Sequence, residues 1–154
     1  MELDEKTLSL IISKIGPGLM VSISAIGSGL GFISGTEGIC KAAEHSVNTT
    51  YSLIPIIFIT APTMYSVILY FMVYDKQVQT LSDGLLILSA CIINGVSSGA
   101  AAYSIGHSAR YACVVRALQP KFLTTFFLVF IFGELTGLLG LVCAMAMSSN
   151  IGKT

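Results

Sequence analysis

Tryptophan is absent from this chain of 154 residues, and charge is scarce: eight Lys and Arg stand against eight Asp and Glu, 10% of the residues in all. With a net charge of zero and no basic cluster, nothing offers a track for a phosphate backbone, so nucleic acid is excluded as a partner. The four cysteines (Cys40, Cys91, Cys113 and Cys143) have no CxxC spacing. They read as small packing residues with free thiols, not as a disulfide or metal framework. His45 and His107 read as solvated loop or helix-end residues, with no partner cluster that suggests a metal. No phosphate loop, nucleophile–base pair or ligand set occurs, which argues against a soluble enzyme, a bound metal and a cofactor alike. A basic leader is missing as well: Met1-Glu2-Leu3-Asp4-Glu5-Lys6 is acidic, unlike a cleaved signal peptide.

What fills the chain is apolar. Hydrophobic residues make up 54% of it and the mean hydropathy is +0.84, outside the range of soluble globular domains. A helix needs about 20 apolar residues to cross the ~30 Å hydrocarbon core, and four stretches qualify. The first runs from about Leu8 to Gly38, the second from Tyr51 to Tyr74, the third from Gly84 to about Gly106, and the fourth through Phe126–Met147. A polar connection is expected over Thr36–Thr50, a short turn over Asp75–Asp83, and a basic connection carrying Arg110, Arg116 and Lys121. Pro120 fits the first turn of the fourth helix. Pro55 and Pro62 lie in the second span, where membrane helices tolerate them, and Tyr51, Tyr70 and Tyr74 sit near its ends as interfacial aromatics do. Asn48-Thr49-Thr50 matches a glycosylation sequon, a weak signal this close to the membrane. The chain is therefore expected to be an all-α, multi-pass membrane protein of four transmembrane helices.

Glycine is unevenly placed. Ser24, Gly27, Gly31, Gly35 and Gly38 form one stripe on the first helix, and Gly95, Gly99, Ala102, Gly106 and Ala109 form another on the third. The fourth has Gly133, Gly137, Gly140 and Ala144. Such stripes let membrane helices approach backbone to backbone, because packing drives association in lipid. Gly27, Gly31, Gly95, Gly99 and Gly137 are accordingly the expected packing positions. A shift of 75 residues lays Gly31 on Gly106, and a shift of 74 lays Phe58 on Phe132 and Thr60 on Glu134. The halves 1–76 and 77–154 thus read as two tandem helical hairpins, each a glycine-striped helix followed by a bulkier one. Only the second carries an acid within its bulkier helix.

That acid is Glu134, near the middle of the fourth span. A carboxylate at bilayer depth costs roughly 2.5–3.5 kcal/mol on insertion scales, so such residues are rare and usually functional. Desolvation disfavours the charged form, and in hydrocarbon Glu134 is expected to be neutral. A Glu that only caps a buried hydrogen bond is the bland alternative.

Around Glu134 the run Ile131-Phe132-Gly133-Glu134-Leu135-Thr136-Gly137-Leu138-Leu139-Gly140-Leu141 resembles the proteolipids of the V-type ATPase rotor ring, with Gln119-Pro120-Lys121 similar to their polar loop and Gly38-Ile39-Cys40 to the end of their first helix. The resemblance covers both hairpins and is strongest over Ser82–Ser149; it departs at Ala109-Arg110-Tyr111-Ala112 and at Leu139, where the family usually has Gly-Asp-Ala-Gly-Val-Arg and Tyr. It implies one protomer of a rotor ring in which Glu134 binds and releases a proton, while ATP is hydrolysed elsewhere in the complex, so that this chain is not itself an enzyme. It implies as partners other copies and related proteolipids, a stationary membrane subunit with a half-channel arginine, a central-stalk subunit and the lipid bilayer. The implied site is a vacuolar or other acidic endomembrane with both termini lumenal. By the same resemblance, the first and third helices line the inside of the ring, and the glycines named above pack it. H⁺ is preferred to Na⁺, because the positions that complete a sodium shell in relatives match Ala61, Pro62 and Ile105, although Thr60, Thr63 and Thr136 retain hydroxyls. Two other classes compete. A small four-helix proton-coupled transporter would place its Glu in the first span within an aromatic cage, and a structural tetraspan protein would not need Glu134.

Overall fold

Apolar segments of this length satisfy their backbone in lipid only as helices, and the computed structural model, which describes residues 5–45, 50–78 and 80–152, is helical throughout. α1 spans Glu5–His45, α2 Ile54–Tyr74, α3 Leu81–Leu118 and α4 Leu123–Ser148, with 3₁₀ turns at Thr50–Leu53 and Pro120–Phe122. All four are long and apolar enough to cross a membrane, and among the described residues there is no strand. Residues 1–4 of the acidic start, and Asn48 and Thr49 of the sequon, lie outside the described residues.

Two expected boundaries are corrected. The stretch expected as a connection from Thr36 stays helical to His45, and the third span does not stop near Gly106 but continues to Leu118, taking Arg110 and Arg116 into α3. Loss of hydropathy marks where the bilayer ends, not where the helix ends. Gly38 is the one helix-weakening residue after Thr36 in α1, and the next proline after α3 is Pro120. At 1.5 Å per residue α1 and α3 reach roughly 57–62 Å, about twice the hydrocarbon thickness. Lys41 and Arg110 both meet Glu37, at 3.0 and 2.8 Å, and Arg116 lies over the Tyr51 ring at 5.0 Å. α3 starts sharply because Thr80 and Asp83 form a reciprocal capping box. Pro120 opens the 3₁₀ turn ahead of α4, three residues earlier than the α-helix itself.

α1 and α3 run parallel in a fixed register. Gly84 meets the backbone of Ser9, Gly95 that of Met20, Gly99 that of Ser24, and Gly106 that of Gly31, each contact joining residues 75 apart. α2 lies antiparallel to both, with Ser28 donating to the Ile59 carbonyl at 3.2 Å and Asn94 to Ser66 at 3.1 Å. α4 folds back along α3. Small polar residues such as Ser9, Ser24, Ser66, Asn94 and Ser98 are buried beside apolar ones, while Ile26, Ile57, Phe71 and Leu139 point outward. An exterior this apolar suits lipid as the solvent. Two apolar clusters close the ends, one around Phe126, Phe130, Ile59 and Ile105, the other around Met20, Leu69, Val73 and Ile87. All four cysteines are free, Cys91 and Cys113 buried.

A Cβ on Gly31 would strike the Ala102 carbonyl, whereas one on Gly29 would meet nothing within 4 Å. Gly31→Leu is therefore expected to destabilise the protein by at least about 3 kcal/mol, since backbone cannot yield as a side chain does. Gly29→Leu should stay within about 0.5 kcal/mol. Denaturation in mixed micelles checks both, and equal loss in the two variants would contradict the seam.

Candidate ion-carrying site

Three glycines bring α4 onto its neighbours. A Cβ at Gly133 would lie 2.7 Å from Ile105 Cγ1, one at Gly137 would lie 3.3 Å from Ala101 Cβ and 3.5 Å from Pro62 Cβ, and one at Gly140 would overlap Ser97. These positions recur every three or four residues and put α4 flush against α3, with α2 on the other flank. Glu134 follows directly after Gly133 and is half-buried near the midpoint of α4. Its neighbour Ile131 and the residue one turn on, Leu138, face outward, while Phe130 turns inward and packs edge-on to Phe126 at 4.8 Å and against Phe58 at 5.8 Å. The carboxyl thus sits at the border between the helices and the hydrocarbon.

Its partner is Tyr65 of α2, whose hydroxyl donates to Glu134 Oε1. Sequence reasoning assigns the tyrosines near the ends of α2 to the interface and misses Tyr65. The signal that could have found it is its place: a phenol in mid-bilayer has no water to bond and must find a partner within the protein. That the partner lies 69 residues away cannot be read from spacing.

The threonine hydroxyls nearby make their hydrogen bonds to groups other than the carboxyl. Thr60 donates to the Ile56 and Ile57 carbonyls at 3.2 and 3.0 Å, and Thr136 to Gly133 at 2.8 Å. Thr63 pairs with Ser28. Ala61 offers no polar side chain, Pro62 and Ile105 are buried, and Ile105 lies under Gly133. Among the described residues no group of three His, Cys, Asp or Glu is placed to hold a metal. Of the five glycines singled out by sequence, Gly27, Gly31, Gly95 and Gly99 lie in the α1–α3 seam, and Gly137 lies between α2 and α3 beside the carboxyl.

Comparison with known proteins falls on this site. The family model for the C subunit of ATP synthase matches residues 88–147, which include Glu134 and the glycines around it. The c subunit of the V-type proton ATPase of Candida tropicalis is 26% identical over 142 residues, 90% of this chain and 89% of that protein.

Tyr65 covers one oxygen of the Glu134 carboxyl. Tyr65→Phe should therefore free the carboxyl from α2 and raise its reaction rate with a hydrophobic carbodiimide by about fivefold, the worth of one hydrogen bond of roughly 1 kcal/mol. Peptide mapping of the labelled product checks the site and the rate. An unchanged rate would mean that Tyr65 does not govern the carboxyl.

Proposed function

Because the chain belongs to the rotor-ring proteolipid family of V-type ATPases, we propose that it carries protons across an acidic endomembrane, such as that of a vacuole, by protonation and deprotonation of Glu134 in a rotating ring. The observation that carries this reading is a single carboxyl at mid-bilayer depth on the outer border of α4, hydrogen-bonded to Tyr65. Idle carboxyls are seldom retained at such depth.

The cycle follows from solvation. Facing lipid, Glu134 is neutral, since a bare carboxylate there costs roughly 2.5–3.5 kcal/mol or more. Facing a water-filled half-channel beside a fixed arginine of the stationary subunit, the charged form is favoured by both water and the cation. The proton leaves there, and the carboxylate takes up another from the opposite half-channel before it returns to lipid. Tyr65 holds the carboxyl against α2 during transit and releases it at the stationary subunit, so the side chain alternates between a closed and an extended position. ATP is hydrolysed in other subunits; this chain contributes no catalytic group. Residues 1–76 and 77–154 act as two hairpins of one ring protomer, with Gly27, Gly31, Gly95, Gly99 and Gly137 permitting the close packing that a narrow inner ring requires. Both termini face the lumen, and the opposite end meets the central stalk. The ion is H⁺: Ala61, Pro62 and Ile105 bring no side-chain oxygen where a sodium shell would need several.

Glu134→Gln keeps the volume and cannot ionise, so ATP-driven acidification should fall to background while insertion and assembly persist. Glu134→Asp, one methylene shorter, should retain only a fraction of the rate. Acidification should proceed without sodium, and sodium should not protect Glu134 from carbodiimide at constant pH. Near-normal pumping by an assembled Glu134→Gln complex would overturn the assignment of the carrier, and protection by millimolar sodium the choice of ion.

A further inference from the structure

Between α1 and α2 a groove changes character along its length. At the end where α1 begins and α2 finishes, a cavity of about 700 Å³ is lined by Lys6, Lys14 and Lys76, with Asp75 the one acid in the lining among the described residues. Three ammonium groups against one carboxylate give that described lining a net charge of +2. Deeper, a second cavity of about 380 Å³ is almost wholly apolar, walled by Gly18, Val67 and Phe71. Tyr74 flanks the first cavity and Tyr70 the second, and their rings stack at 5.2 Å, so the two spaces share one continuous wall. Gly18 keeps the trench open: a Cβ there would meet nothing within 4 Å.

The lysines are positioned rather than merely exposed. Lys14 reaches to the end of α2, donating to the Tyr74 carbonyl at 2.8 Å with its ammonium 4.1 Å from the Tyr74 ring centre. Lys76 donates to the Ser148 carbonyl at the end of α4. Each ammonium has three N–H groups, and one such bond leaves two for a ligand. Lys14, two turns deeper than Lys6, snorkels to the same level. A basic mouth at headgroup level over an apolar trench is complementary to one molecule, an anionic headgroup with an acyl chain.

We propose that this groove binds an acidic phospholipid, its phosphate held by Lys6, Lys14 and Lys76 and one acyl chain lying along Gly18, Val67 and Phe71. The site is separate from the carboxyl on α4. It would anchor the α1–α2 pair at a defined height in the bilayer.

The chain lacks tryptophan, so Phe71→Trp gives a sole reporter in the trench, at a position 70% exposed that accepts the larger ring. The full chain is placed in phosphatidylcholine nanodiscs containing either phosphatidylglycerol or phosphatidylcholine brominated on its acyl chains. Half-quenching is expected at about one tenth the mole fraction of the acidic lipid, the fold-change that one to two net lysine charges are worth at a membrane surface. Changing Lys6, Lys14 and Lys76 together to Gln should erase the preference, changing all three to Arg should keep it, and Lys41→Gln at the other end should leave it unaltered. Native mass spectrometry of the unsubstituted chain, exchanged into an equal mixture of the two lipids, should retain the acidic one preferentially. Equal quenching by both lipids, or a preference that survives the Gln triple, would overturn the proposal. Quenching by neither would mean that a second copy of the chain fills the groove, and would overturn it too.

Discussion

Backbone contact between α1 and α3 is the constraint from which the other positions follow. Gly31 and Gly106 touch with no side chain between them, and Gly27 lies on the backbone of Gly99 in the same way. In hydrocarbon there is no hydrophobic reward for pairing helices, so dispersion over a long, close contact must supply it. Once α3 is fixed in register, Ile105, Ala101 and Ser97 present the surface that receives Gly133, Gly137 and Gly140. The height and rotation of α4 are then determined, and with them the height of Glu134. A carboxyl facing Tyr65 is thus the last step of a packing sequence that begins two helices away.

The apolar exterior, with small polar residues inside, follows from the same solvent. Serines buried along α1 and α3 fit because they are small; Ser9 and Ser13 turn back on the Lys6 and Leu10 carbonyls of their own helix, and Ser98 bonds the Asn94 side chain. Asn94 is larger and needs partners across the bundle; it donates to Ser66 and lies 3.4 Å from the Ser98 hydroxyl. Such interhelical bonds contribute only about 0.6 kcal/mol on average in membranes. They specify which faces meet more than they hold the faces together.

Much of this was legible in the chain, for physical reasons. Span number and type follow from hydropathy because lipid permits so few backbone solutions. The 75-residue shift between Gly31 and Gly106, visible as a sequence repeat, is also the register at which those residues touch. Glu134 stood out because charge is expensive at its depth. The ends of α1 and α3 were not legible, because polar residues leaving a membrane can remain helical, and composition alone does not distinguish a solvated helix from a loop. Tyr65 was not legible as a partner because its contact depends on how α2 and α4 are rotated about their axes, which the glycine stripes of α3 determine.

The helical overhang at His45 and Leu118 needs something to hold it outside the bilayer. The ion pairs are its most visible feature, with Glu37 accepting from both Lys41 and Arg110. Their side chains are 36–52% exposed, and pairs in that setting contribute about 0–1 kcal/mol. Gly38 offers more: a Cβ there would lie 2.5 Å from the Cα of Arg110, so the backbones remain as close in the overhang as in the membrane. Ala42, Ala109 and Cys113 continue the same buried line, joined by Phe126 from α4. In water this apolar contact gains the hydrophobic stabilisation that lipid denies to the rest of the seam, at roughly 25 cal/mol per Å² buried. The overhang is therefore held chiefly by packing, and Glu37, Lys41 and Arg110 keep its surface soluble and its two helices in register.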